Sequence, residues 1–166
     1  VFNLTDESDE LRLNCIANIL HITPSSKMKS DALKQLRVKN PDSNAIPKSW
    51  HYSFVKFAAR DLNKRFKKNY KKKMNDNSWA GWAAVKMTSD SVARTQKSNP
   101  KEILKYLKNE LTFDGQKGSD MNFRVTGQLR QLILLVDNDK IVAEAPIRGV
   151  AKPPTLDSLG ILECTN

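Results

Sequence analysis

The sequence predicts an α/β fold, with layers of helices on a mixed sheet and a C-terminal β-hairpin. Three observations carry that expectation. Residues 132–136 read Leu-Ile-Leu-Leu-Val, an unbroken apolar run long enough for a buried strand and too short for an ordinary helix. Asp137-Asn138-Asp139 then turns the chain into Ile141-Val142-Ala143, which completes a hairpin. Upstream, Phe54, Ala58, Leu62, Phe66 and Tyr70 recur every four residues, and Ile103, Leu104, Leu107 and Leu111 form a second stripe at helical spacing.

Taken in order, residues 1–4 form a short strand candidate, and the acidic residues 6–10 follow as a loop or helix start. A second strand is expected over 18–22. Thr23-Pro24-Ser25-Ser26 then opens a helix carrying Met28, Ala32, Leu33 and Leu36, with Ser25 or Ser26 as its N-cap. The pattern stops between Val38 and Ser49, where Pro41, Asn44 and Pro47 mark a loop. The longest helix is expected from about 53 to 73. The run Asn75-Asp76-Asn77-Ser78 ends it and caps the next, which carries Trp79, Trp82, Ala83, Val85, Met87 and Val92. Asn99-Pro100-Lys101-Glu102 is a start signal: Asn99 caps, Pro100 takes the first helical position, and Glu102 reaches back to the free N–H groups. Asp114-Gly115 and Gly118 bend the chain into a short strand with Met121, Phe123 and Val125 on one face. A Gly127 turn leads to the apolar run. Pro146, Pro153 and Pro154 make the tail an irregular strap.

The chain has 166 residues and a net charge of +10. At this size a chain buries roughly two-thirds of its unfolded surface, enough for one cored domain. No apolar run approaches the ~18 residues of a membrane span. The start Val1-Phe2-Asn3-Leu4, followed at once by acidic residues, does not read as a signal peptide, so an exported form is expected to have lost its signal. Residues 56–73 hold nine Lys or Arg against one acid, Asp61. The apolar stripe through them favours the wet face of a helix over a dedicated polyanion site, so nucleic acid is not the expected partner.

Enzyme constellations are absent from the sequence: there is no phosphate loop, nucleophile elbow or clustered set of metal ligands. The acidic residues Asp6, Glu7, Asp9 and Glu10 lack cation-loop spacing and read as a solvated segment. His21 reads as structural. No catalytic residue, metal or cofactor is expected. The two cysteines, Cys15 and Cys164, lie far apart without metal-type spacing. What the residues do offer is hydroxyls at strand ends, where small polar ligands are held against free backbone N–H groups. Two loops fit: Thr5, Asp6 and Ser8 after the first strand, and Thr23 and Ser25 after the second. Trp50 and His51 are candidates for the wall of the same cleft.

Several segments, in order, resemble a known family. They are Cys15 to Ser25 (Cys-Ile-Ala-Asn-Ile-Leu-His-Ile-Thr-Pro-Ser), Met28 with Asp31-Ala32-Leu33, Trp50-His51, Leu62-Asn63-Lys64-Arg65-Phe66, Trp79-Ala80-Gly81-Trp82-Ala83-Ala84-Val85-Lys86, Gly127-Gln128-Leu129-Arg130-Gln131 and Leu156-Asp157-Ser158-Leu159-Gly160. Together they cover most of residues 9–160 and are similar to type I periplasmic binding proteins of the leucine/isoleucine/valine class. The nearest likeness is to ABC-transporter substrate-binding proteins associated with pyrroloquinoline-quinone-dependent alcohol dehydrogenase systems.

The resemblance implies part of a bilobal clamshell, periplasmic and non-catalytic, that captures a small molecule in its cleft and signals an ABC permease. It also implies a disulfide between Cys15 and Cys164, positions at which this branch carries cysteines. The likeness jumps between Leu36 and Ile46, where most of one lobe is missing. Residues 1–38 are then a strand–helix unit of a lobe, 39–49 a linker at the apparent internal gap, 50–145 a helical and hairpin portion, and 146–166 the strap. A sheet short of its central strands leaves open edges. An accessory subunit docked onto another periplasmic protein is therefore the alternative, with a polyanion-binding module behind it.

Overall fold

The computed structural model describes residues 1–165. Short strand β1 (Phe2–Asn3) leads to α1 (Asp9–Leu13), and β2 (Leu20–His21) leads to α2 (Ser26–Lys39). β1 and β2 pair in parallel, Phe2 against Leu20 and Asn3 against His21. The backbone at Gln128 extends this ladder: His21 N–H donates to Gly127 O at 2.7 Å and Leu129 N–H donates to His21 O at 2.9 Å. A second sheet is antiparallel, with β3 (Ile46–Lys48), β4 (Ile133–Asp137) and β5 (Lys140–Ala145) in the order β3-β4-β5. The remaining helices are α3 (Ala59–Tyr70), α4 (Asp76–Thr95) and α5 (Pro100–Asn109).

β4 explains the layering. Its unbroken apolar run is buried on both faces, as expected of a strand covered on each side. Leu134 and Val136 enter one core with Trp50, Leu62, Trp79, Met87 and Leu107 from the α3–α5 side. Ile133 and Leu135 enter a second core with Met28, Ala32 and Leu36 of α2. Helices thus cover both faces of the sheet, which is the layered α/β architecture expected from the sequence.

Local chemistry sets the ends of the elements. Ser25 caps α2, Asn75 caps α4 and Asn99 caps α5 with Pro100 inside the first turn. Asn138 and Asp139, at φ 46° and 62°, form the two-residue turn between β4 and β5. The strap is pinned under buried Arg124, which donates to the carbonyls of Leu159 and Leu156 at 2.7 Å each. Cys15 and Cys164 are disulfide-bonded, tying the strap to the end of α1.

Four details differ from the sequence reading. The helix expected over 53–73 starts only at Ala59, because residues 51–58 form a loop held by Asn63, whose Nδ2 donates to the carbonyls of Tyr52 and Phe54. Phe54 keeps the stripe's spacing but enters the core from that loop. The strand expected around 121–125 shrinks to single bridges, Phe113 with Met121 and Phe123 with Leu129. Val125 is exposed instead of facing inward, because the chain reverses there: Gly127 N–H donates to Arg124 O at 2.9 Å. Glu102 pairs with Lys97 at 2.6 Å instead of reaching back to its helix start. Finally, the expected linker 39–49 contributes β3, an edge of the antiparallel sheet.

Candidate functional site

The parallel strands β1 and β2 each run into a helix start, so the loops 5–8 and 23–25 emerge side by side at the carboxyl ends of adjacent strands. Backbone contacts bind them to each other. Ser26 N–H donates to Glu7 O at 2.8 Å, and Lys27 N–H donates to Asp9 Oδ1 at 3.0 Å. Within the first loop, Asp6 Oδ1 accepts from Ser8 N–H at 2.7 Å, and Ser8 caps α1. In the second, the Ser25 hydroxyl caps α2 by accepting from Met28 N–H at 3.2 Å. Thr5, Asp6 and Ser8 are exposed, whereas Thr23 and Ser25 are buried.

The organiser of this region is Arg12, a fully buried guanidinium. Its Nη1 donates to the carbonyls of Asp6 and Ser8, both at 2.8 Å. Nη2 donates to Thr23 O at 3.0 Å, and Nε to Gln128 Oε1 at 3.0 Å. A planar fork with fixed donors suits four acceptors from three segments better than a lysine would. Burial lowers the Arg12 pKa below its ordinary value, against the opposing pull of Asp6, Asp9 and Glu7. Gln128 completes the junction by donating from Nε2 to His21 O at 3.1 Å and Thr23 O at 3.2 Å.

His21 lies beneath the loops. Asn3 Oδ1 accepts from the N–H groups of Thr5 and Asp6, which fixes the amide so that Nδ2 donates to His21 Nδ1 at 2.9 Å. The ring proton therefore sits on Nε2, a buried donor without a partner among the described residues. Burial first, and then the charge of Arg12, lower the His21 pKa to about 4. The ring is neutral at pH 7.

Of the expected cleft residues, Thr5, Asp6, Ser8, Thr23 and Ser25 come together. Trp50 and His51 do not join them. Trp50 is completely buried; it stacks on Trp79 at 5.9 Å and donates from Nε1 to Asn63 Oδ1 at 3.0 Å, which leaves no face for a ligand. Its link to the loops is indirect. Buried Lys117 sits 3.9 Å over the Trp79 ring and donates to Gln131 Oε1 at 2.9 Å, and Gln131 Nε2 donates to Ile22 O at 2.5 Å. His51 belongs to the hairpin tip, where Nε2 lies 3.1 Å from Asp139 Oδ1 and Nδ1 2.7 Å from Ser53 Oγ. The Tyr52 hydroxyl also donates to Asp139, and that bond is the largest of the influences lowering the Asp139 pKa.

Arg12, Gln128, Gln131 and Lys117 belong to the hydrogen-bond network beneath the loops and are not among the site residues expected from the sequence. Gln128 and Gln131 carried a signal, since both stand in the 127–131 segment that resembles the binding-protein family. Arg12 and Lys117 carried none, because nothing in their neighbourhoods marks a cation as buried. Away from the loops, an apolar groove of about 450 Å³ runs between β1 and α4–α5, lined by Phe2, Leu20, Val92, Ile103 and Leu107. Apolar side chains dominate its walls, with Asn18, Thr88, Ser98 and Lys101 as the polar side chains among them, so it suits an apolar ligand better than a small polar solute. Among the described residues, no cluster of His, Cys, Asp or Glu is arranged to hold a metal ion, and no helix is long and apolar enough to cross a membrane.

No family model and no curated protein matches the sequence. Solved structures do resemble the fold. A branched chain amino acid ABC transporter periplasmic ligand-binding protein from Burkholderia xenovorans aligns with 60% of this chain and 29% of its own, at TM-score 0.51 and 20% identity. A periplasmic binding protein from Burkholderia mallei aligns over the same shares at TM-score 0.51 and 17% identity. A leucine binding protein, LivK, from Thermotoga maritima aligns with 76% of this chain and 43% of its own, at TM-score 0.48 and 13% identity. The chain therefore has the fold of part of a periplasmic binding protein, and the matched region is less than a third of the two Burkholderia proteins' length.

Proposed function

We propose that this chain is a periplasmic, non-catalytic solute-binding component, or a shortened relative of one, that serves an ABC transporter permease. The observation that carries the reading is the convergence of loops 5–8 and 23–25 at the carboxyl ends of parallel strands, held by one buried guanidinium. In open α/β sheets that is where small ligands bind. Thr5, Asp6 and Ser8 supply exposed side-chain oxygens for a small polar solute, while their backbone groups are engaged within the loop and by Arg12, and Thr23 and Ser25 shape the floor. The residue likeness described above further suggests service in an alcohol-oxidation system. Residues 1–38 then act as the strand–helix unit that carries the site, and residues 50–145 as its support.

Isothermal titration against amino acids, short alcohols, aldehydes and quinone-type cofactors tests the reading. Saturable heat with one of these supports it, and silence across the panel counts against capture. A second reading is favoured by one observation: among the described residues β1 pairs only with β2 and leaves an open edge. In that reading the chain is an accessory subunit whose sheet is completed by another periplasmic protein. Light scattering that shows a monodisperse monomer in the presence of candidate partners removes it.

A further inference from the structure

We infer that the cationic face of α3, with the apolar loop before it, docks on the surface of an anionic lipid bilayer. The inference stands apart from solute capture and does not depend on it.

The first observation is the distribution of charge. α3 fully buries only Ala59 and Leu62, with Phe66 partly covered. At about 100° per residue, Arg60, Lys64, Lys67, Lys68 and the capping Lys71 fall within roughly one quarter to one third of the helix circumference. The second observation is that these cations are uncompensated. Lys56 pairs with Glu144, and Lys73 lies 3.9 Å from Asp139. Among the described residues, Arg60, Lys64, Arg65, Lys67, Lys68 and Lys71 have no ion pair. Self-repulsion in such a cluster opposes folding and is relieved when anions gather on it.

The third observation separates a bilayer from a nucleic acid. Val55 and Phe57, in the loop that enters α3, are 48% and 63% exposed, and Val142 of β5 is 52% exposed. Val55 and Val142 line one shallow cleft together with Lys56 and its ion-pair partner Glu144, so the charge that attracts anions comes from α3 and the apolar tips from this cleft. Phe57 is held in place despite its φ of 52°, because its ring covers Gly118, where a Cβ would collide with it. Exposed apolar side chains on the loop that enters α3 and on β5 have little to gain from a phosphate polymer. A headgroup layer accepts both, with cations at the phosphates and apolar tips at the acyl boundary. The lysine-rich face also suits a fluid layer of headgroups, where compact, mobile charges need no fixed bidentate geometry.

Vesicle co-sedimentation of the intact chain tests this. Phosphatidylcholine vesicles with about a third phosphatidylglycerol are compared with phosphatidylcholine alone, at about 0.05 M and about 0.5 M salt. The inference expects partition onto the anionic vesicles only, falling at least tenfold at the higher salt. Charge reversal in a Lys64→Glu/Lys67→Glu/Lys68→Glu variant is expected to reduce partition by tenfold or more. A Val55→Ser/Val142→Ser variant is expected to lose about threefold with the salt response unchanged. All these positions are exposed, and circular dichroism confirms that each variant is folded. A short DNA duplex, read by fluorescence anisotropy at matched salt, should bind more weakly and be indifferent to Val55 and Val142. No partition of the native chain onto anionic vesicles at low salt overturns the inference. So does equal partition onto neutral lipid, or tighter binding to the duplex than to the vesicles.

Discussion

Replacing Arg12 tests whether one buried guanidinium organises the strand-end loops. In Arg12→Met, the acceptors at Asp6 O and Ser8 O lie near the surface, where water replaces the lost donors. Thr23 O keeps its bond from Gln128. Gln128 Oε1, buried, is the group left without its donor. One orphaned buried acceptor costs about 1–3 kcal/mol, and relief of the charge's burial offsets part of the remaining loss. The net expectation is about 2–3 kcal/mol of lost stability. Arg12→Lys should be worse, about 3–5 kcal/mol, because it keeps a buried charge but cannot present the fork that satisfied four acceptors. Urea unfolding gives both values, and hydrogen exchange on residues 5–8 and 23–25 should rise in both variants. If both variants lie within about 0.5 kcal/mol of the parent, Arg12 is not the organiser. If the methionine variant is the weaker of the two, the charge is not what decides the cost.

Three further outcomes follow from buried groups and from the cross-link. Burial lowers the Lys117 pKa from its ordinary 10.5 to about 7, so the unfolded chain binds the extra proton between those values. Stability should therefore rise with pH across that window, at up to about 1.4 kcal/mol per pH unit, and urea midpoints should show the slope vanishing in Lys117→Met. A slope that persists in this variant assigns the effect elsewhere. His21 acts in a separate window: its pKa is lowered to about 4 from 6.5, so stability should fall as pH drops from about 6.5 to 4. His21→Asn should flatten that fall in thermal melts, and an unchanged profile would mean His21 is not its source. Reducing the Cys15–Cys164 bond, which spans a sequence separation of 149, should remove roughly 4–5 kcal/mol in the chain-entropy model. A loss below about 1 kcal/mol on reduction would show that the strap is held by the Arg124 bonds to Leu156 and Leu159 rather than by the disulfide.

Elements with strong local signals were legible in the sequence. Asn75 and Asn99 cap the helices expected of them, and the apolar run at 132–136 lies in or beside β4, buried on both faces. What was not legible came from tertiary contacts overriding local spacing. Phe54 keeps the period of a helix but belongs to a loop tied down by Asn63, 9 residues away. Val125 alternates correctly for a strand, yet sits on a reversal closed by Gly127. The site was half legible. Hydroxyls beside turn residues marked loops 5–8 and 23–25, because capping chemistry is local. Trp50 carried the same apolar signature whether it lined a cleft or stacked in a core, and only packing against Trp79 distinguishes the two. A buried arginine has no local signature: Asp6 and Ser8 are near in sequence, but the buried acceptors at Thr23 and Gln128 are distant.

The most direct test of solute capture is hydrogen exchange, with and without a ligand found by titration. A bound ligand should slow exchange at residues 5–8 and 23–26, the loops that lead into α1 and α2. Protection confined to the groove between β1 and α4–α5, or a full panel of solutes that changes no exchange rate, would contradict it.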